Sequence, residues 1–299
     1  MMPNTDEIKP FELEEEDDKE IKKLADEHDA IFLCIIAPFT PLRVAPRRML
    51  FPQFSTPDEY VIEKFVGKVN KKFSQKKRPT LYILIHSPGG AVSTSYMIAR
   101  VLRNNFNKIV GFIPHMAASG ASLVALSCNE LVMGDISYLT SIDPHYDTDG
   151  ETIFALSIVR SFNNLQGILG TKTEDEISYP YRHLTQSITA EKYDVATHSL
   201  MMVENYAREL MHKSGYKGEE IKKIIEGMLY EIETHEQLIP IEKAKELGIK
   251  VKHIKEDKSH QRCWEIMKKW LEKYYLQPSP VHVIRYCFPS KRKRFKKKK

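Results

Sequence analysis

Apolar residues along the first half of the chain occur in short unbroken runs separated by longer amphipathic stretches. The runs predict buried strands, at 31–36, 80–86, 108–114 and 130–134. The stretches between them favour helices, at 58–73, 91–104 and 116–128. Strands that are apolar on both faces and alternate with helices are typical of a parallel sheet covered on both sides. The sequence therefore predicts an α/β core.

From about residue 152 onwards the pattern becomes helical. Helical repeats occur at 153–169, 189–213 and 217–228. Residues 239–254 predict a helix that ends at Gly248, followed by a short strand. A further amphipathic segment, CWEIMKKWLEKYYL, precedes a proline break and the end of the chain. We expect a helical C-terminal part to follow the α/β core.

Charge is concentrated at the two ends of the chain. Of the 299 residues, 42% are hydrophobic and the formal net charge is +5, but the last ten residues, SKRKRFKKKK, are almost purely basic. Without them the chain is slightly acidic, which argues against a general nucleic-acid binder. The basic tail is interpreted as a solvated end or as a contact for nucleic acid or an anionic membrane surface.

The cysteines and histidines show no metal-ligand spacing. The cysteines lie far apart, at Cys34, Cys128, Cys263 and Cys287, as in a protein of a reducing compartment. No apolar run reaches the roughly 18 residues that span a bilayer. We expect a cytoplasmic protein, with attachment to a membrane surface through the basic tail as the alternative. There is neither an H-E-x-x-H pair nor a phosphate-binding loop, so we predict no metal and no cofactor.

Two predicted strands end in unusual segments, HSPGG at 86–90 and HMAASGAS at 115–122. Gly89 and Gly90 permit positive φ and let another backbone approach closely. Ser119 follows a strand and begins a helix of small residues, where free N–H groups favour developing negative charge. The alternatives are a plain tight turn and a serine that serves as a helix N-cap.

Together these segments resemble the ClpP-class serine peptidases, which include signal peptide peptidase SppA and ClpP. The sequence is most similar to the prokaryotic serine dehydrogenase proteinase group, because SIDP and THEQLIPIEKAKELGIKV also match its pattern. The resemblance extends over roughly 30–252 and implies a ClpP/crotonase-like fold of repeated ββα/βαβ units with a helical C-terminal part. We accordingly predict a peptidase domain at 31–255, a charged N-terminal extension at 1–30 and a C-terminal extension with the basic tail at 256–299.

The resemblance also implies a site and a substrate class. Ser119 would be the acyl nucleophile, and the backbone N–H groups of Gly89 or Gly90 and of Gly120 would form the oxyanion hole. An extended peptide could pair with the glycine loop, which implies peptides or unfolded proteins as substrates. Family members generally assemble into oligomers, so a homo-oligomer is expected.

The general base is the open part of this prediction. A serine hydroxyl needs His or Lys to take its proton. A gapless match to ClpP puts Ile142 at the position of the base, and His145 follows three residues later, with Asp143 or Asp147 to orient it. SppA uses a lysine some fifty residues beyond its serine, where this chain has Lys172. The remaining candidates are His183, Lys192 or no base at all. Of the further histidines, His86, His115 and His235 are interpreted as structural, and His198 as a packed or exposed residue in mid-helix.

Two other functions fit the same resemblance. One is a catalytically silent assembly protein that retains the fold and its oligomeric contacts, which a missing base would favour. The other is a crotonase-like enzyme acting on an acyl-CoA, in which paired N–H groups stabilise an enolate and Ser119 is not needed. The sequence shows no adenine-binding feature, so a serine endopeptidase is the preferred prediction.

Overall fold

The structure is a computed structural model that describes residues 13–39, 42–45, 48–50, 52–73, 78–148, 151–179, 181, 189–277, 279 and 281–290. The helices are α1 (Lys19–His28), α2 (Thr56–Lys72), α3 (Val92–Asn105), α4 (Gly120–Leu126), α5 (Ala155–Leu169), α6 (Ala190–Lys213), α7 (Gly218–Ile225), α8 (Ile241–Leu247) and α9 (Gln261–Tyr275). The strands are β1 (Glu14–Glu15), β2 (Ala30–Ile36), β3 (Leu42–Ala45), β4 (Arg48–Leu50), β5 (Thr80–His86), β6 (Lys108–Ile113), β7 (Met116–Ala117), β8 (Glu130–Met133), β9 (Tyr138–Leu139), β10 (His145–Thr148), β11 (Glu151–Phe154), β12 (Ile239–Pro240), β13 (Val251–His253) and β14 (Val283–Cys287). A π-helical turn (Glu226–Tyr230) continues α7. The basic tail beyond Ser290 and the first twelve residues lie outside the described part of the chain.

A large, mostly parallel sheet forms the centre of the fold. Its strand order is β1-β14-β2-β5-β6-β8-β13. Strands β2, β5, β6, β8 and β13 run parallel, with Ile31 opposite Leu81 and Leu81 opposite Ile109. The predicted buried strands and the α/β fold class are confirmed. Because the strands are parallel, the loops after β5 and β6 emerge at the same edge of the sheet.

Helices cover both faces of this sheet. On one face, Ile31, Leu33 and Ile35 of β2 join the larger core, which includes α2, α3 and α4. On the other face, alternate residues of β2, Phe32 and Cys34 among them, pack with α1 and α9. Side chains alternate between the faces of a strand, so only a strand buried on both sides reads as a continuous apolar run.

The C-terminal segment belongs to the same packed body as the core. Strand β14 pairs antiparallel with β2, and Ile284 lies opposite Ile35. Helix α9 buries Trp264 and Met267 against the second face of the sheet. The domain boundary predicted near residue 255 stays a prediction, but no separate core marks it within the described residues. This packing brings the segment before β14 next to the loop after β5.

Local details differ from the predicted elements where strands pair with distant partners. Strands β10 and β11 form an antiparallel hairpin with His145 opposite Phe154, so α5 begins at residue 155 rather than at 153. The predicted helix at 116–128 is shorter, because Met116 and Ala117 pair with β9 as strand β7. Within the described residues, no helix combines the length and the apolar character needed to cross a bilayer.

Candidate active site

The loop after β5 requires glycine at two positions. Residues 87–90, which we call the glycine turn, connect β5 to α3. Gly89 has a φ of 101° and Gly90 a φ of 145°, conformations that residues with side chains rarely adopt. A Cβ on Gly89 would lie 2.6 Å from the carbonyl oxygen of Ala118 and 2.7 Å from the nitrogen of Gly120. The glycine turn is therefore in direct contact with the segment around Ser119.

Phe54 fixes the other side of the glycine turn. Its N–H donates to the Gly89 carbonyl oxygen at 2.7 Å, and its carbonyl oxygen accepts from the Ala91 N–H at 3.1 Å. A Cβ on Gly90 would lie 2.3 Å from the Phe54 nitrogen. This parallel bridge leaves the N–H and the carbonyl of Gly90 directed away from Phe54.

Ser119 has an unusual backbone conformation at the start of α4. Its φ is 49° and its ψ is −120°, in a region that L-residues avoid. The conformation is held from two sides. The Ser119 N–H donates to Thr140 Oγ1 at 2.8 Å, and the Ala121 N–H donates to the Ala118 carbonyl at 2.8 Å. Ser119 itself is half-buried.

Two backbone N–H groups beside Ser119 are available to an anion. The Gly89 N–H donates to Ser87 Oγ at 3.0 Å. Among the described residues, none accepts a hydrogen bond from the N–H of Gly90 or of Gly120. Donors placed in advance where negative charge develops are the central feature of an oxyanion hole. This arrangement can stabilise the tetrahedral intermediate of acyl transfer.

The candidate bases lie at different places in the fold. His145 is exposed on β10, and its ring lies 5.8 Å from that of Phe154 and 6.1 Å from that of His235. Lys172 is exposed in the turn after α5, and Lys192 is exposed in the first turn of α6. His183 lies outside the described residues. No hydrogen bond joins the Ser119 hydroxyl to any residue that the structure describes.

Asp143 is a buried carboxyl group close to this region. Its N–H donates to Ser141 Oγ at 2.9 Å, and its Oδ1 accepts from the Leu156 N–H at 3.1 Å. Burial raises the pKa of Asp143 to about 7, although the Leu156 hydrogen bond and the charge of Arg160 act in the opposite direction. The sequence analysis suggested Asp143 as a residue that orients His145. The hydrogen bonds of Asp143 in this structure are to Ser141 and Leu156.

We expect Asp143→Asn to stabilise the protein more at high pH than at low pH. The pKa of Asp143 in the folded state, about 7, lies above its ordinary value of 3.8, so the folded state retains a proton that the unfolded state releases. Wild-type stability should thus fall as the pH rises from 4 through 7, by at most about 4 kcal/mol. Asparagine keeps the acceptor for Leu156 and cannot ionise. Urea unfolding at pH 5 and pH 8 should show the variant gaining more stability over the wild type at pH 8 than at pH 5; an equal difference at both pH values would contradict this.

Two further histidines, the buried His86 and the half-buried His115, form a hydrogen-bonded pair at the ends of β5 and β6. His86 Nδ1 lies 3.0 Å from the Ala37 carbonyl oxygen, which can only accept, so this nitrogen carries the hydrogen. His86 Nε2, 3.3 Å from His115 Nδ1, is then the acceptor of that second bond. Burial lowers the pKa of His86 to about 4, with a further contribution from His115. Both residues are thus bonded within the fold.

The other two histidines that the sequence analysis considered lie on helical and loop segments away from β5. His235 stacks on Phe154 with ring centroids 4.3 Å apart, and burial lowers its pKa to about 4. His198 is exposed on α6, where its Nδ1 contacts the Asp194 carbonyl oxygen at 3.0 Å.

The sequence analysis missed the partners that shape the site. Thr140 holds the Ser119 N–H, and Phe54 pairs with the glycine turn. Each lies about twenty or more residues from its partner, and neither belongs to a recognisable motif. Only the spatial approach of β9 and of the segment before α2 brings them to the glycine turn and Ser119.

One group of carboxylates and histidine lies at the opposite edge of the sheet. Ligand atoms of Glu130, Asp257 and His260 fall within 4.8 Å of one another. Both ring nitrogens of His260 already have partners, Asp257 Oδ2 at 2.5 Å and the Tyr82 hydroxyl at 3.2 Å. Glu130 also pairs with Lys252. The absence of a metal stays a prediction.

A family model identifies the family of this chain. The model of the ClpP-like SDH-type serine proteinase family matches residues 70–298. Two relatives from Methanocaldococcus jannaschii, the uncharacterized proteins MJ1495 and MJ0137, are 30% and 28% identical over 169 residues. Those matches take in 56% of this chain and 51% and 52% of the relatives, so the chain spans about half the length of the curated relatives it matches.

The comparison with solved structures found a mutant of the 1510-N membrane-bound stomatin-specific protease. It is 12% identical, with a TM-score of 0.43 over 77% of this chain and 84% of that chain. This likeness is too distant to assign a role to any residue. The family model, by contrast, spans well over half of the chain, including the glycine turn, Ser119 and β14. The chain therefore belongs to the ClpP-like SDH-type serine proteinase family.

Proposed function

We propose that this protein is a serine endopeptidase in which Ser119 is the nucleophile. The observation that carries the proposal is the strained Ser119, in contact with Gly89 and flanked by the N–H groups of Gly90 and Gly120. Strained backbone at a serine is costly, by about 1–3 kcal/mol, and such residues cluster at active sites. Membership of a serine proteinase family supports the same assignment.

The chemistry follows from this geometry. The Ser119 oxygen attacks the carbonyl carbon of a peptide bond while a base takes the hydroxyl proton. The carbonyl oxygen becomes an oxyanion, which the Gly90 and Gly120 N–H groups stabilise by roughly 3 kcal/mol each. Collapse expels the amine, which receives the proton, and leaves an acyl group on Ser119. Water then hydrolyses the ester and restores the serine.

The contacts of the glycine turn favour Gly90 over Gly89 as the loop donor of the oxyanion hole. The Gly89 N–H already donates to Ser87, whereas the Gly90 N–H has no acceptor among the described residues. On the side of Gly90 that faces Phe54, the backbone groups of the neighbouring residues are already hydrogen-bonded to Phe54. We infer that an extended substrate peptide lies along the opposite edge, where main-chain pairing would select unfolded or flexible chains.

His145 is the base that we propose, with Lys172 as the alternative. Thr140, which holds the Ser119 N–H, lies only five residues before His145. In this proposal the imidazole approaches Ser119 when substrate binds, since catalytic hydrogen bonds are often long in the free enzyme. Lys172 is exposed, whereas a lysine that serves as a base is usually buried, which makes it the weaker candidate.

Reaction with a fluorophosphonate probe tests the nucleophile. We expect one covalent adduct on the wild type by intact mass, none on Ser119→Ala, and an unchanged adduct on Ser93→Ala. Ser93 is an exposed serine on the neighbouring α3, which makes it a matched control. Labelling of Ser119→Ala at the wild-type rate would refute the assignment.

The same probe separates the candidate bases and the silent alternative. Loss of labelling in His145→Ala with retention in Lys172→Ala would identify His145, and the reverse would identify Lys172. If both variants label, His183→Ala and Lys192→Ala come next. A wild type that neither labels nor cuts casein would instead support a catalytically silent assembly protein.

A further inference from the structure

Three buried polar residues form a continuous hydrogen-bonded chain that ends at the glycine turn. Asp58 Oδ1 lies 3.2 Å from His282 Nδ1, and His282 Nε2 lies 2.9 Å from Ser87 Oγ. Ser87 is fully buried, and Asp58 and His282 expose only 1% and 4% of their surface. We call this chain the buried triad. It joins the first turn of α2, the residue before β14 and the loop after β5.

The donors and acceptors in the buried triad follow from its two ends. At one end the Gly89 N–H must donate to Ser87 Oγ, at 3.0 Å. At the other end Asp58 Oδ1 is the acceptor, and the His282 tautomer with its hydrogen on Nδ1 satisfies both contacts and leaves Nε2 as an acceptor. The Ser87 hydroxyl therefore donates to His282 and accepts from Gly89. Every member of the chain has a partner on both sides.

Both ends of the buried triad are anchored in the fold. Asp58 Oδ2 accepts hydrogen bonds from Ser55, from its N–H at 2.9 Å and from its hydroxyl at 3.1 Å. The His282 ring stacks on Phe54 at 4.5 Å between centroids. Phe54 in turn pairs with Gly90 through the backbone. The buried triad thus contacts the glycine turn directly through Ser87, and indirectly through Phe54.

The residue types are those of a serine-protease triad, but the position argues against a second nucleophile. Ser87 is fully buried, and its oxygen already accepts the Gly89 N–H. A substrate carbonyl could not reach this hydroxyl without dismantling the loop. What the triad controls is the direction of the Gly89 peptide group, and through it that of Gly90.

We propose that Asp58, His282 and Ser87 are positioning residues that hold the glycine turn so that the Gly90 N–H is presented to the oxyanion. This proposal rests on the proposed peptidase function of Ser119. Binding the Gly89 N–H to Ser87 keeps the turn from rotating that group into the site. The Gly89 peptide group then remains fixed by its hydrogen bond to Ser87, while the Gly90 N–H stays free to donate. The C-terminal segment that carries His282 thereby completes the active site.

The test compares Ser87→Ala and His282→Asn with a matched control, Ser214→Ala. Ser214 is also a buried serine, but its hydroxyl contacts the carbonyl oxygens of Ser127 at 2.6 Å and of Leu210 at 2.8 Å, and no residue of the glycine turn. Peptide hydrolysis by the two triad variants should lose at least about 10-fold in kcat with KM changed less than threefold, because the lost interaction acts on the transition state. The double variant should be little worse than the worse single one, since either change breaks the same chain.

Hydrogen exchange gives a second readout that does not depend on activity. The Gly89 amide, whose N–H donates to Ser87 Oγ, should exchange at least about 10-fold faster in both triad variants than in the wild type or in Ser214→Ala. Unchanged exchange, unchanged kcat, or a rise in KM alone would overturn the proposal. If the wild type shows no turnover and no probe labelling, the peptidase function fails instead, and exchange alone then decides whether the triad orders the turn.

Discussion

Replacing Ser119 with glycine is expected to abolish peptide hydrolysis and at the same time to raise the stability of the protein. The Ser119 φ of 49° and ψ of −120° suit glycine and strain any residue with a Cβ. Relief of that strain should outweigh the extra flexibility of glycine in the unfolded chain and leave a gain of about 1 kcal/mol. Without the hydroxyl, kcat should fall by at least about 10⁴-fold.

Ser119→Ala separates the two effects. Alanine also lacks the hydroxyl and should be equally inactive, but it keeps the Cβ and therefore the strain. We expect the glycine variant to melt about 2 °C above the alanine variant, measured by scanning calorimetry in the same buffer. Equal melting temperatures would show that the backbone at Ser119 is not strained. An active glycine variant would remove Ser119 from the mechanism.

Gly90→Ala should be among the most destabilising single changes in the core of the site. The added Cβ would lie 2.3 Å from the nitrogen and 2.5 Å from the carbonyl oxygen of Phe54. Both are backbone atoms, so no side chain can rotate away to relieve the contact. Together with the φ of 145°, this should lower the free energy of unfolding by about 3 kcal/mol or more and separate Phe54 from the turn. The rate of peptide hydrolysis should fall as well as the stability, because the Gly90 N–H would move.

Gly67→Ala provides the matched control for that experiment. Gly67 lies in the middle of α2, and nothing lies within 4 Å of the position its Cβ would take. Alanine there should raise the free energy of unfolding by about 1 kcal/mol through helix propensity. Urea unfolding of both variants should move the midpoints in opposite directions. A Gly90→Ala midpoint at the wild-type value would refute the close approach to Phe54.

Most of the core could be predicted from local patterns. The strands β2, β5, β6 and β8 are buried on both faces, and such strands produce uninterrupted apolar runs that need no partner to be recognised. The helices that connect them have amphipathic repeats. The hairpin of β10 and β11 was not predicted, because it is defined by the pairing of its two strands and its composition does not indicate strands.

The candidate site was predictable in its motifs but not in its contacts. Gly89, Gly90, Ser119 and Gly120 stand out in the sequence because glycines and small residues follow buried strands. The hydrogen bond that occupies the Gly89 N–H is visible only in the structure, since it depends on which way one peptide group turns. The base candidates stay predictions, because no local pattern places His145 or Lys172 relative to Ser119.

By itself, the sequence of this protein determined the alternation of strands and helices, the glycine turn, the serine segment and the resemblance to its family, because each depends on neighbouring residues. Only the tertiary structure decided that β14 joins the sheet beside β2 and that His282 links Asp58 to Ser87, 224 and 195 residues away in the chain. Contacts over such separations form when whole elements pack together. They leave no periodic signal in the sequence, and the orientation of the glycine turn depends on them.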